Sequence, residues 1–172
     1  MLLRAAEPDD ALDVARVHVR SWQAGYRGLL PDEYLGQLRP EDRAPHYDFA
    51  TDDPAKPHTI VAVEDSRICG FATTMPARDT YLVSFGELVA LYVDPNDWGC
   101  GIGVALVAAA RAKMIAGGFE HAVVWVLAGN VRAMRFYERD AWTCDGTEKS
   151  EEMWGISLQS VRYRRSLAES LA

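Results

Sequence analysis

The sequence has few cysteines and no pattern among them. Cys69, Cys100 and Cys144 are the only three, and there are four histidines. An odd number of cysteines, with no CxxC pair and no zinc-type spacing to histidine, argues against a disulfide framework and against a structural metal. No apolar run approaches the roughly 20 residues that cross a bilayer. The amino-terminal MLLRAAEPDD lacks the apolar stretch of a signal peptide. The expectation is a reduced, cytoplasmic protein with no membrane partner. Positive charge is also scarce, with 18 Lys and Arg against 25 Asp and Glu and a net charge of −7. A nucleic-acid binder normally carries a basic face. The densest basic cluster, RYRR at 162–165, alternates like a solvent-facing strand, so no nucleic-acid partner is expected. The acidic balance suits a cationic substrate but equally an ordinary soluble protein. No repeat, low-complexity tract or linker interrupts the 172 residues, which is the usual size of one domain.

What is present is patterned. A short strand is expected over residues 2–6, and Pro8 suits the first turn of a helix. Leu12, Ala15, Val19, Trp22 and Tyr26 then follow at spacings of three and four, which places them on one apolar face. That helix ends near Gly25 and Gly28. A second short helix is expected from Pro31, and residues 41–50 read as helix or irregular. TIVAVED (59–65) and RICGFATTM (67–75) read as strands joined by a tight turn at Asp65 and Ser66. Residues 82–93 (LVSFGELVALYV) read as a longer strand, with Gly86 marking a bulge or a close approach. Residues 102–116 form a helix that stops at Gly117–Gly118. HAVVWVL (121–127) is almost wholly apolar, as in a strand buried on both faces. Asn130 caps a further helix through Tyr137 and Glu138. AWTCDG and SVRYRRSL are expected as a short and a closing strand. The order implies an α/β domain with a mixed sheet, in which the 102–116 helix joins two parallel neighbours.

VDPNDWGCGIGVAL (93–106) sits between strand and helix. A helix start exposes backbone N–H groups at the positive end of its dipole, and glycine lets backbone approach an anion closely. A phosphate is therefore expected near Gly99–Val104, against the simpler reading of a tight turn. A P-loop needs a lysine directly after its last glycine, and the next lysine here is Lys113. A dinucleotide fold needs GxGxxG. The third glycine of that motif would fall at Val104 or Leu106, and Glu120 precedes the next strand where an acidic residue at its end is required.

ELVALYVDPNDWGCGIGVAL (87–106) resembles the acyl-CoA-binding motif of the GNAT N-acetyltransferase superfamily, a strand followed by Q/R-x-x-G-x-G/A and a helix. Gly101 and Gly103 are the motif glycines. NVRAMRFYERDAW (130–142) resembles the motif that follows, with Asn130 and Tyr137 at the family spacing. The resemblance spans essentially the whole chain. Trp98 stands where the family usually has Gln or Arg, Cys100 where a basic residue is common, and Ala141–Trp142 where Gly–Phe is usual.

The resemblance implies a fold of about seven strands and four helices, with the central strands splayed to hold acetyl-CoA as acyl donor and no metal. Leu91, Tyr92 and Val93 would pair with the pantetheine arm as an added strand does. Gly99, Cys100, Gly101, Ile102, Gly103 and Val104 would hold the pyrophosphate. Asn130 would reach the pantetheine arm or simply cap its helix. Transfer to an amine needs a neutral nucleophile, hydrogen bonds to the oxyanion and a proton for the departing thiolate. Tyr137 is the candidate general acid, or else a core aromatic. Glu87 is the candidate base, facing the cleft, or else an exposed strand-end carboxylate. The oxyanion donor is expected from backbone near Leu91. SWQAGYRGLLPDEYL (21–35) is similar to a stretch of polyamine-type family members. Trp22 and Tyr26 either pack in the core or stack on a cation, with Asp32, Glu33 and Glu87 adding negative charge. The expected function is acetyl transfer through a ternary complex to a primary amine of a small molecule or peptide. A non-catalytic acyl-CoA-binding module is the alternative, which the presence of both Glu87 and Tyr137 disfavours. A homodimer is left open by the resemblance, as is the role of 145–160 in shaping the pocket or a dimer contact.

Overall fold

In the computed structural model, which describes residues 1–168, strand β1 (Leu2–Ala5) leads through one 3-10 turn at Pro8–Asp10 into helix α1 (Ala11–Gly25). Helices α2 (Asp32–Gln37) and α3 (Pro40–Arg43) follow, then strands β2 (His58–Glu64), β3 (Arg67–Pro76) and β4 (Phe85–Val93). Helix α4 (Ile102–Ala116), strand β5 (His121–Leu127) and helix α5 (Val131–Arg139) come next. Strands β6 (Thr143–Met153) and β7 (Ile156–Ser166) close the chain. One sheet contains all seven strands in the order β1-β2-β3-β4-β5-β7-β6. Among the described residues there are five α-helices, the about four expected and the single turn α3 that follows α2. Among the described residues no helix is long and apolar enough to cross a membrane.

Among the described strands only β4 and β5 pair in parallel, and every other neighbouring pair is antiparallel. A parallel pair needs a long crossover, and α4 is that crossover. Its buried Leu106, Val107, Ala110 and Met114 pack on one sheet face with Ala72, Leu88 and Val124. On the opposite face α1 contributes Val14 and Val17, which meet Val61 and Phe71. Both faces of β3 and β4 are thus covered, which explains their long apolar runs.

Gly86 is a point of close approach and not the bulge. A Cβ there would lie 2.6 Å from the Met114 sulfur. The bulge falls at Val89, since Thr73 pairs with Ala90 and Thr74 with Leu88. A bulge bends its strand, and β4 leaves β5 at this point. Their register runs only from Phe85↔His121 to Leu88↔Val124, although β4 continues to Val93 and β5 to Leu127.

The carboxyl-terminal part differs from expectation. Residues 143–166 form one long hairpin with a two-residue turn at Trp154 and Gly155, both with positive φ (52° and 78°). Such turns favour Asn-Gly, so a tryptophan there masked the hairpin in the sequence. The strain of that backbone is offset by contacts: the Trp154 ring stacks on Trp22 at 4.3 Å, and the Arg43 guanidinium lies 4.8 Å from its centroid. The RYRR cluster is also not solvent-facing throughout. Arg162 is 6% exposed and bonds Asp145 at 2.7 Å, while Arg165 pairs with Asp140.

Candidate active site

The parting of β4 and β5 opens a cleft of ≈ 170 Å³. That is below the roughly 300–1,000 Å³ of a pocket enclosing a whole drug-sized ligand. It suits a slender arm passing between strands. Residues 88–93 form one wall and residues 124–127 the other. Beyond Leu88 the edge of β4 that faces β5 has no strand partner, so its backbone groups are available to an added extended chain. Leu91, Tyr92 and Val93 all lie on this wall.

One end of the cleft is the glycine loop. Gly101 has φ +82° and is the residue before α4, a left-handed conformation that costs other residues about 1–2 kcal/mol. The Ala105 N–H is bonded to the Gly101 carbonyl. The N–H groups of Ile102, Gly103 and Val104 precede it in the first turn and have no carbonyl within the helix to bond. They point out of a 15-residue helix at the positive end of its dipole. A Cβ on Gly103 would already touch Phe136, at 3.4 Å, and Val93, at 3.8 Å. Cys100 is exposed beside them. The loop is pinned to the fold by two charged contacts. Buried Asp94 pairs with Arg20 at 2.5 Å, and Asp97 with Arg67 at 2.7 Å.

Trp98 is more than a filler of the Gln/Arg position. Its indole N–H donates to the Val93 carbonyl at 2.8 Å, and the Arg132 guanidinium sits 3.3 Å from its ring centroid. Arg132 also lines the cleft and has no carboxylate partner among the described residues. It returns a positive charge to a loop that lacks one at Cys100. This residue escaped sequence reading. Its position two residues after Asn130 was the available signal.

Asn130 lines the cleft and caps α5, its side-chain oxygen accepting from the Ala133 N–H at 3.2 Å. The cap uses the oxygen and leaves the amide NH₂ free, so both expected roles are compatible. Tyr137, two turns further on, is 6% exposed and lines the cleft. Its ring packs edge-on against Phe136 and Trp142. Burial pushes its hydroxyl well above the usual phenol range, with smaller contributions from Tyr92 and Asp140. It is a protonated donor across the ordinary pH range. Ala141 adopts φ +59°, which explains why glycine is usual at that position.

Glu87 does not face the cleft. It is 1% exposed and receives bonds from the Arg78 guanidinium, the shortest at 2.6 Å, and from the Arg78 backbone N–H at 3.0 Å. It is neither the exposed carboxylate nor the cleft-facing base that the sequence suggested. Its charge is committed to holding the β3–β4 connection. Trp22 is also set back, 1% exposed in the core under Trp154. Tyr26 does reach the cleft, with its hydroxyl 3.2 Å from that of Tyr92. Asp32 and Glu33 are exposed at the start of α2 and do not line the cleft. The expected gathering of carboxylates around Trp22 and Tyr26 is therefore not formed.

A sheet splayed beside a free helix start, with a buried tyrosine facing the gap, defines an acyltransferase class of site. The chain belongs to the acetyltransferase (GNAT) family, whose profile matches residues 22–141, and it is an N-acetyltransferase. An uncharacterized N-acetyltransferase, YuaI of Bacillus subtilis, is 30% identical over 165 residues, covering 92% of this chain and 89% of YuaI. Among solved structures, the PaiA N-acetyltransferase of Thermoplasma acidophilum in complex with coenzyme A has TM-score 0.71 and 20% identity, covering 96% of this chain and 98% of that one. YncA of Salmonella typhimurium with acetyl-CoA has TM-score 0.72 and 17% identity, covering 100% and 96%. These two similarities show a shared fold.

Proposed function

We propose that the protein transfers an acetyl group from acetyl-CoA directly to a primary amine of a small molecule or peptide, with donor and acceptor bound together. The observation that carries this reading is the unpaired β4 edge after Leu88, which lines one cleft together with Gly103 at the start of α4 and with Tyr137. Two fold relatives hold coenzyme A or acetyl-CoA, and the residues here fit such a donor. The N–H groups of Ile102, Gly103 and Val104 and the Arg132 guanidinium would hold the pyrophosphate. The backbone of Leu91–Val93 and the Asn130 amide would hold the pantetheine arm.

The donor supplies an activated acetyl group. The chain supplies placement and protons. Backbone N–H groups near Leu91 stand where the carbonyl oxygen gains negative charge, and such donors are worth about 3–4 kcal/mol when preorganised. Tyr137 donates its proton to the departing sulfur, a general-acid role typically worth ~10²–10⁴ in rate. The test is release of the CoA thiol over a panel of amines and peptides. At least one amine should raise the rate above hydrolysis, and Tyr137→Phe should remove most of that rise. Acetyl-CoA binding with no amine-dependent thiol release would contradict the reading.

A further inference from the structure

The cleft is lined by residues from α1, β4, the glycine loop, β5 and α5, and none of them is Asp, Glu or His. Its one charged lining residue, Arg132, stands at the glycine-loop end. The cleft is also lined by Tyr26 and Tyr92, whose hydroxyls are 3.2 Å apart. The Tyr26 ring packs on Trp22 at 4.9 Å, and Tyr26 and Tyr92 share an apolar cluster with Trp22, Leu127 and Trp154.

Resting on the acetyltransferase reading above, we propose that the Tyr26–Tyr92 hydroxyl pair is the acceptor subsite. It takes a primary amine in its neutral form, on an apolar or aromatic body without a second positive charge. Each phenol oxygen has a lone pair for an amine N–H, and the pair fixes where the nitrogen's own lone pair points. Backbone of the same Tyr92 residue lines the donor wall, so its two halves would register nucleophile against thioester. The surroundings disfavour a polycation. The charged groups acting on the Tyr92 hydroxyl are Arg43 from α3 and Glu151 from β6. Glu151 is paired with Lys149 at 3.2 Å, and Arg43 has no carboxylate partner among the described residues. His18 of α1, whose ring is 4.5 Å from that of Tyr92, is held neutral by burial. Tyr47 and Tyr137 are kept protonated by burial as well. Among the described residues the carboxylate acting on the pair is Glu151, already engaged by Lys149, so an ammonium ion would find no unpaired counter-charge there.

The reaction then balances without a protein base. The C–N bond forms and the C–S bond breaks, nitrogen loses one proton and sulfur gains one. Because the amine must arrive neutral, the rate follows the neutral fraction present in solution. An aliphatic amine titrating near the lysine value of about 10.4 is about one part in a thousand neutral at pH 7.4.

The test compares 2-phenylethylamine, its less basic β,β-difluoro analogue, and putrescine, by CoA thiol release, with acetyl-CoA binding followed by calorimetry. The arylalkylamines should exceed putrescine by at least ~tenfold in kcat/KM. Their kcat/KM should rise about tenfold per pH unit up to each amine's own pKa, so the two curves should be displaced from each other. Tyr26→Phe and Tyr92→Phe should each lower amine kcat/KM about tenfold, the loss of one hydrogen bond, and leave the donor Kd within about twofold. Preference for putrescine, a rise fixed at one pH for both arylalkylamines, silent Phe variants, or no transfer to either arylalkylamine while acetyl-CoA binds would each overturn the inference alone. Failure of acetyl-CoA to bind would overturn the donor reading as well.

Discussion

At the glycine loop the proposed donor would meet mainly backbone. At the Tyr26–Tyr92 pair the proposed acceptor would meet side chains. The first end is built from one continuous segment, 93–106, together with the start of α5. The second is assembled from α1, β4 and β5, with α3 and the β6–β7 hairpin packed behind. Backbone contacts need small residues at fixed spacing and tolerate changes elsewhere. A side-chain pocket depends on distant rings being brought together, so nearly any residue type can take part.

The largest expected effect separates chemistry from both ends. Tyr137→Phe should lower kcat by ~10²-fold or more and leave acetyl-CoA affinity within about twofold, measured by thiol release and calorimetry. A parallel loss of affinity would mean that the ring packs the donor site and gives no proton. Next is Gly101→Val. A β-branched residue is strained at φ +82° and would move the free N–H groups, so acetyl-CoA binding should weaken about 30-fold, roughly 2 kcal/mol. Amine discrimination among the remaining turnovers should be unchanged.

Glu87→Gln sharpens the division differently. It removes the charge that holds Arg78, at a cost of about 1.5–3 kcal/mol in stability, seen as a lowered Tm. The slope of kcat/KM with pH should stay as in the wild type, since the carboxylate lies outside the cleft. A lost pH limb would restore it as a base.

Stability should also depend on His18. Burial lowers its pKa in the folded state, so the unfolded chain binds the extra proton. Its contribution is complete above the unfolded value of about 6.5. As pH falls below that value, stability is lost by up to about 1.4 kcal/mol per unit, until the folded pKa is reached. Replacing His18 by Gln should flatten Tm against pH in that range. The smallest effect belongs to Cys100→Arg, which should keep or tighten acetyl-CoA binding by no more than about fivefold, the scale of one screened charge at a helix start. A large loss would show that the loop meets its anion in another way.

These two ends were also unequally legible. Helix α4 and strand β5 were readable to their end residues, because glycines punctuate one and an unbroken apolar run defines the other. Gly101, Gly103, Asn130 and Tyr137 stood out through the spacing of the family motifs, and Gly103, Asn130 and Tyr137 line the cleft. Glu87 was misplaced because strand parity places a side chain on a face but does not reveal the Arg78 beside it. Trp22 was left ambiguous for the same reason: its partner Trp154 is more than a hundred residues away. The hairpin was hidden by a tryptophan in a turn that usually takes asparagine. The Val89 bulge, which opens the cleft, has no sequence mark at all.

The division of labour between the two ends is tested most directly by the acetyl-CoA Kd of the Tyr26→Phe/Tyr92→Phe double variant, measured by calorimetry beside its amine kcat/KM. The account predicts a donor Kd within about twofold of wild type and an amine kcat/KM lowered by at least ~tenfold. A donor Kd that weakens in step with amine turnover would contradict it, because the two ends would then be one site.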